Sequence, residues 1–440
     1  MSQLLNLAQS VVKDSLAEGA DEASVSVSHA SYTTLVRRGG KVEQATQSTT
    51  RGLVVSLLVE DRYSSHSTSD LRPEALRTFL RRALNATGYL EQDPDRRLPD
   101  AALCGRGATA EQLDQRDPSW DARKAEDRAD LAETVERLMA ENEPDGVISS
   151  ASYVADGASE SAWVMSNGFS DEHRGAWFSV GGEMTLLDTD GRRPEASAYY
   201  GSRYLSDIPA PEEVALEVVT RAKERLGSRA IASGTYPMLL QNRSVSRILG
   251  ALGGPLSGSA LHHGRSCLTG RLGERLGSPL FTLLDDPTIA RGLGSRPWDG
   301  DGLVAVPRAI FEEGVLKSYY INVYYGRRLG VDPTTGSLSN WVVPPGDQSV
   351  EDLAKALPKA ILVNGFLGGN SNGVTGDFSF GVRGVLLEYG EPVQSLSEMN
   401  VSGNLLTIFD RLGAIADDPW PYSSVRSPTL LFDDVQFSGS

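Results

Sequence analysis

The order in which helix-like and strand-like segments follow one another is the feature that most limits how this chain can fold. An amphipathic helix is predicted at residues 4–18, because apolar residues recur there at helical spacing and Gly19 follows as a helix terminator. From Ala23 onward, apolar and polar residues alternate, which predicts antiparallel strands. The strands expected in this run are residues 32–37, 42–49 and 52–58, with turns at residues 38–40 and 50–51.

The remainder of the first half repeats this grouping of like elements. Further helices are expected at residues 73–90, 121–141 and 211–226, and further strands at residues 147–165, 177–187 and 196–205. Because strands and helices come in separate runs and do not strictly alternate, we expect an α+β fold, with an N-terminal antiparallel sheet packed with helices. This order argues against a doubly wound nucleotide-binding fold.

The second half differs in composition and hydrophobic pattern, since glycine and short apolar runs become frequent from Gly234 onward. The strands expected there are residues 280–284, 303–311, 315–320, 360–363, 378–389 and 401–406. Turn signals separate them, which is typical of antiparallel hairpins. We therefore expect an N-terminal α+β domain at residues 1–230 and a C-terminal, mostly antiparallel and barrel-like β domain at residues 231–440.

Charge and composition narrow the classes of partner. Lys and Arg total 42 against 58 Asp and Glu, a net charge of -16, which disfavours binding to nucleic acid. No segment approaches the roughly 20 apolar residues of a membrane span. The N-terminus lacks the features of a secretory signal, and Cys104 and Cys267 are the only thiols. We expect a cytoplasmic protein that binds neither nucleic acid nor membrane.

One serine has the spacing of a hydrolase nucleophile. Residues 369–373 read Gly-Asn-Ser-Asn-Gly, a G-x-S-x-G pattern that would expose Ser371 at a strand-to-helix turn. All five histidines precede Ser371, however, and the segment after Gly376 is strand-like. A glycine- and asparagine-rich turn is the favoured interpretation.

The histidines and paired carboxylates suggest no complete site either. His262 and His263 are adjacent, so on a helix or strand they point in different directions, and Cys267 would complete at best a partial ligand set. A surface or capping role is favoured for the two histidines. The acidic pairs at residues 285–286, 417–418 and 433–434 split to opposite faces of a strand, which favours solvated turns over an acid/base pair.

An ordered series of short motifs nevertheless resembles one known family, the TldD/PmbA family. The matching segments in the second half are residues 277–280, 285–287, 292–297, 314–319, 326–330, 374–379 and 403–405. Those in the first half are residues 19–23, 40–43, 52–53 and 67–71. Each motif alone is weak, but together and in order they cover nearly the whole chain.

The resemblance implies two paralogous subunit types, TldD and TldE (PmbA), that together form a cytoplasmic zinc metalloprotease that trims or degrades peptides, including peptide natural products. The TldD type carries H-E-x-x-x-H and a late cysteine, and its zinc and glutamate would activate water. In this chain the three motif positions fall on Leu249, Gly250 and Gly254, and the late window at residues 419–428 holds no cysteine. Leu249 is expected to be buried apolar packing.

These departures predict a TldE-type, non-catalytic subunit with no metal of its own and no catalytic residue, and zinc is expected in a TldD-type partner. This chain would complete the chamber in which the peptide substrate binds, through residues 250–264 and 365–377. The proposed lining residues are His262, His263, Asn370, Ser371, Thr375 and Asp377. Two alternatives stay open: a free-standing biosynthetic enzyme that uses His262, His263, Cys267 or Ser371, and a modulator of gyrase, which the acidic charge disfavours.

Overall fold

The computed structural model describes residues 2–143 and 145–439. The helices are α1 (Gln3–Ala17), α2 (Pro73–Thr87), α3 (Ala110–Leu113), α4 (Ala125–Asn142), α5 (Pro211–Lys223), α6 (Val245–Gly253), α7 (Gly258–His262), α8 (Val323–Leu329) and α9 (Val350–Lys355). The strands of the first half are β1 (Glu22–Arg38), β2 (Lys41–Val59), β3 (Arg62–Thr68), β4 (Val147–Met165), β5 (Ser170–Leu186) and β6 (Glu195–Ser202).

The strands of the second half are mostly shorter. They are β7 (Gly234–Leu240), β8 (Leu283–Asp285), β9 (Arg308–Glu312), β10 (Val315–Leu316), β11 (Trp341–Val342), β12 (Ala360–Ser371), β13 (Asp377–Glu388), β14 (Glu391–Asn404), β15 (Leu412–Ile415), β16 (Val425–Arg426) and β17 (Leu430–Gly439).

The first half is one antiparallel sheet with the strand order β3-β2-β1-β4-β5-β6. Alternate residues of β1, such as Val25 and Val27, are buried against α1 and α2. Leu35, on the same face of β1, packs in a second cluster with α4 and α5. Alternation with a period of two gives the sheet one apolar face, and the helices cover that face. The predicted α+β class is therefore confirmed.

The predicted break within β2 is wrong. Thr50 and Arg51 do not form a turn but pair with Ala30 and His29 inside an uninterrupted ladder. Strand β1 supplies partners for the backbone groups that face it, and the side chains of both residues are exposed on a sheet surface that accepts polar residues. Pairing with β1 therefore overrides the local turn signal.

The second half contains a closed barrel, as expected. Its strand order is β14-β13-β12-β7-β17, and pairing of β14 with β17 closes the ring. Met238, Leu240 and Phe432 contribute to a core that continues into the smaller sheet β10-β9-β8-β11-β16. Two pairings are parallel, β7 with β12 and β11 with β16, whereas the other named pairs of this half are antiparallel.

The strands predicted at residues 280–284, 303–311 and 315–320 are much shorter in the structure, with only β8, β9 and β10 in their place. Leu303 instead forms an isolated bridge with Cys104, and the amide of Val304 donates to the carbonyl of Leu103. These residues join the two halves of the chain, so they do not extend a hairpin. The domain boundary at residues 230 and 231 falls between α5 and β7 and stays a prediction. Within residues 2–143 and 145–439, no helix is long and apolar enough to cross a membrane.

Candidate functional site

Helix α6 and its C-terminal capping residue, Gly254, carry the three positions where the resemblance places a metal-binding motif. Its apolar residues Val245, Ile248, Leu249 and Leu252 recur at helical spacing and are buried in the barrel core. Leu249 has no exposed surface. The first motif position is therefore a core position, and its side chain is apolar.

The other two motif positions lie on the open face of α6. Arg247, Gly250 and Gly254 are spaced three and four residues apart, which puts them on one side of the helix. A Cβ atom added at Gly250 or Gly254 would meet no atom within 4 Å. On this face the backbone of α6 is therefore not covered by side chains at Gly250 and Gly254.

The hairpin of β12 and β13 contacts this helix and the loop that follows it. Nη2 of Arg247 donates to the carbonyl of Gly369 over 2.8 Å. The amide of Cys267 donates to the carbonyl of Gly373, also over 2.8 Å. A Cβ on Gly373 would lie 3.5 Å from Cγ of Pro255. Through Pro255 and Gly373, the structure thus brings together the two segments proposed from the sequence, residues 250–264 and 365–377.

Ser371 is the last residue of β12 and is exposed. Strand β13 follows it after a turn, and Ser371 pairs with Phe378, so the strand-to-helix geometry of a nucleophile elbow is absent at this serine. Gly369 is required by the hairpin itself, since its φ is +98° and a Cβ would lie 2.1 Å from the carbonyl oxygen of Ser379. The motif therefore builds a hairpin.

Thr375 and Asp377 stabilise the turn of this hairpin. The carboxylate of Asp377 accepts from Oγ1 of Thr375 over 2.7 Å and from Nδ2 of Asn404 over 2.8 Å. These two hydrogen bonds, first that from Asn404, lower the pKa of Asp377. Asp377 is thus an ionised carboxylate engaged by local donors, and Asn370 and Ser371 stand beside it on the exposed end of β12.

One edge of β12 is open beside these residues. Strand β7 pairs with β12 only at residues 361–363, whereas β13 follows β12 to Ser371. From Gly365 to Ser371 the other edge has no strand partner among the described residues. Leu367 and Val374, on the hairpin, are 47% and 53% exposed. An open edge of this kind can pair with an extended peptide.

The two histidines lie beside α8 and not over the open face of β12. The ring centroids of His262 and His263 are 4.9 Å apart, and both rings contact Tyr325. Nη2 of Arg328 lies 3.4 Å from Nε2 of His262. Burial raises the pKa of the Cys267 thiol, which disfavours the thiolate that a metal or a substrate carbon would need.

The donor groups do not fit the zinc that the resemblance implies for a TldD-type chain. Leu249, Gly250 and Gly254 supply no nitrogen, oxygen or sulfur side-chain atom. Across the described parts of the chain, no group of three or more His, Cys, Asp or Glu residues is arranged to hold a metal ion. The residues at the three motif positions therefore do not fit a zinc ion.

Helix α6, and Arg247 as the residue that ties it to the hairpin, were not predicted from the sequence. The signal for the helix was present, because residues 245, 248, 249 and 252 have the spacing of one buried face. No local signal indicates the contact of Arg247 with Gly369, since 122 residues separate them.

Comparisons with known proteins identify the family of this chain. Residues 233–439 match the PmbA/TldA metallopeptidase C-terminal domain, and residues 23–87 match domain 1 of the same metallopeptidases. The metalloprotease PmbA of Escherichia coli O157:H7 is 25% identical over 96% of this chain and 94% of its own length.

Solved structures show the same fold over the full length. A protein from Bacteroides thetaiotaomicron, named as a candidate modulator of DNA gyrase, is 34% identical with a TM-score of 0.95, over 99% of this chain and 98% of that one. TldE from Thermococcus kodakarensis has a TM-score of 0.87 at 16% identity, over 98% of this chain and 100% of that one. This chain therefore belongs to the PmbA/TldD metallopeptidase family and is a TldE/PmbA-type member of it.

Proposed function

We propose that this chain is the non-catalytic subunit of a heterodimeric TldD/TldE zinc metalloprotease in the cytoplasm. One observation carries the proposal: the three motif positions on α6 are a buried leucine and two glycines on the open face. The chain keeps the family fold over its full length but has no zinc ligand at these positions. Such a chain is best explained as the structural partner of a TldD-type subunit that supplies the zinc.

The contribution of this chain to peptide processing would be to complete the substrate chamber. The open edge of β12 from Gly365 to Ser371 can hydrogen-bond the main chain of an extended peptide regardless of its side chains. Gly250 and Gly254 leave room for backbone to approach α6 closely. This recognition suits the maturation or degradation of peptides of varied sequence, including peptide natural products.

The same hairpin offers apolar surface for the partner. Leu367 on β12 and Val374 in the turn at the hairpin tip are exposed, and contact of apolar groups with water is unfavourable. An obligate interface buries roughly 2,000 Å² or more, and paralogous subunits commonly pair about a pseudo-twofold axis. We place the hairpin within that interface.

The test is co-expression with a TldD-type chain, size-exclusion chromatography and a peptide hydrolysis assay. We expect one heterodimer peak and hydrolysis only from the mixture. The double substitution Leu367→Asp with Val374→Asp should separate the chains, whereas Leu216→Asp, at a 53% exposed position on α5, should not. If the chains elute apart and the TldD-type chain is fully active alone, the proposed function is wrong.

A further inference from the structure

A cleft of about 310 Å³ between the two halves of the chain concentrates positive charge. Five arginines line it, and we call it the arginine cleft: Arg221, Arg225, Arg243, Arg247 and Arg383. Arg221 and Arg225 lie in and just after the last turn of α5. Arg243 and Arg247 lie just before and within α6, and Arg383 is on β13. This local excess of positive charge contrasts with the net charge of -16 of the whole chain.

Three of these arginines are held by protein groups. Arg243 forms an ion pair with Glu217 over 3.1 Å, and its guanidinium lies 4.0 Å from the ring centroid of Trp420. Arg221 donates to the carbonyl of Asn364 over 2.7 Å and reaches the same Glu217 at 4.0 Å. Arg247 is fixed by Gly369. One carboxylate thus serves two guanidinium groups, and the remaining donors of the cleft need other acceptors.

Arg225 and Arg383 have no such support. Neither guanidinium forms a hydrogen bond or an ion pair with any residue that the structure describes. Nη1 of Arg225 and Nε of Arg383 are nevertheless buried, as is Nη1 of Arg243. A buried guanidinium without an acceptor is unfavourable, because it loses the hydration of a charged donor.

The charges also act on one another. Burial, and then the charge of Arg383, lower the pKa of Arg225 to about 10. Glu195 offsets part of this repulsion, and Glu224, which accepts from Asn364 over 3.0 Å, acts on Arg221. The carboxylates around the cleft therefore leave it with excess positive charge.

We propose that the arginine cleft is a binding site for an oxyanion, the phosphate or carboxylate group of a ligand. Planar guanidinium groups bind such groups through paired, charge-assisted hydrogen bonds. An oxyanion in contact with Arg225 and Arg383 would supply the acceptors that their buried donors lack. The volume admits more than a single free ion, so the charged group can belong to a larger molecule.

Two sources of that group are compatible with the geometry. One is a free phosphate compound. The other is an acidic side chain of a peptide, because Gly365 lines the cleft and is also the first residue of the open edge of β12. This second source rests on the proposed function, whereas the oxyanion site itself does not.

The test is calorimetric titration of the isolated full-length chain at low ionic strength. The probes are inorganic pyrophosphate, an end-blocked Gly-Glu-Glu-Glu-Gly peptide and its glutamine counterpart. We expect saturable binding of pyrophosphate or of the acidic peptide, and none of the glutamine peptide. Arg225→Gln combined with Arg383→Gln should weaken binding at least tenfold, since each removes charged hydrogen bonds.

A matched control removes the same charge elsewhere. Arg82 is exposed on α2 and pairs with no carboxylate in the described chain, so Arg82→Gln should leave the affinity unchanged. Arg225→Lys, which keeps the charge, should bind within a few fold of the wild type. Without ligand, Arg225→Gln should raise Tm, because it relieves repulsion from Arg383.

Each outcome of the titration has a defined meaning. Binding of pyrophosphate alone identifies a free phosphate source, and binding of the acidic peptide identifies peptide carboxylates. If neither probe binds, or if the double variant binds as well as the wild type, the proposal is overturned. It is also overturned if Arg225→Gln lowers Tm and leaves binding unchanged, because the arginines would then only join the two halves. No arm uses a TldD-type partner, so failure here is distinct from failure of the proposed function.

Discussion

Leu249 and Gly250 are neighbours in α6 that face opposite environments. Leu249 is fully buried in the barrel core, whereas a side chain added at Gly250 would project into open space. Position 249, where the motif has its first zinc ligand, therefore faces the core, whereas position 250, where the motif has its glutamate, faces open space. This relationship sets the expected effects of restoring the motif.

We expect Leu249→His to reduce the free energy of unfolding by about 2–5 kcal/mol, because it removes buried apolar volume and buries an imidazole. Gly250→Glu and Gly254→His should change it by less than about 1 kcal/mol, since both side chains reach solvent. Urea denaturation measures each effect. As a control, Gly250→Ala should stabilise the chain by roughly 0.5–1 kcal/mol through its helix propensity.

The triple variant Leu249→His, Gly250→Glu and Gly254→His should still not cleave peptides by itself. The late window at residues 419–428 supplies no cysteine, so the ligand set stays incomplete. A fluorogenic peptide assay with and without a chelator provides the measurement. Robust zinc-dependent cleavage by this variant alone would mean that the motif positions are misplaced.

The purified wild-type chain should hold no stoichiometric zinc. The reason is the lack of donors at the three positions on α6, together with the contact of His262 with Arg328, whose positive charge opposes a metal cation. Elemental analysis after dialysis measures the content. About one tightly held zinc per chain that disappears in His262→Ala or His263→Ala would instead favour a free-standing enzyme.

The buried carboxylate of Asp156 should be important for stability. It accepts from Arg128 over 2.7 Å and lies 3.2 Å from Arg123, and it has no exposed surface. Asp156→Asn leaves two buried guanidinium groups uncompensated, which should cost about 3–5 kcal/mol. The exposed pair of Arg116 with Asp121, also at 2.7 Å, is the control, and Asp121→Asn should cost less than about 1 kcal/mol. Equal losses in urea denaturation would contradict this account.

His173 should make stability depend on pH. Burial, followed by the charges of Arg203 and Arg106, lowers its pKa to about 4. Between the ordinary value near 6.5 and pH 4, the unfolded chain binds this proton more readily than the folded chain. The contribution of His173 to the free energy of unfolding is therefore fully present above about pH 6.5. It is lost as the pH falls to 4, and the loss amounts to at most about 3 kcal/mol.

Urea denaturation across that pH range should show that the free energy of unfolding falls less steeply with decreasing pH for His173→Gln than for the wild type. His263→Gln, at an exposed position, should keep the wild-type slope. Parallel slopes for wild type and His173→Gln would show that the folded chain accommodates the charged imidazole.

Much of this protein was determined by its sequence alone. Period-2 alternation predicted β1, β4 and β5 and the antiparallel class, and helical spacing predicted α1, α2 and α5. Such patterns are readable because each reports which face of a local element is apolar. The family could be identified because its glycine and aspartate turns recur in order along the chain.

Only the tertiary structure decided which distant segments meet. Pairing with β1 converted the expected turn at Thr50 and Arg51 into strand, and the pairing of β14 with β17 closed the barrel. Arg225 and Arg383, 158 positions apart, reach one cleft although nothing near either residue predicts it. Local periodicity encodes burial of a face, whereas the choice of partner for that face depends on long-range packing, which no short window of sequence contains.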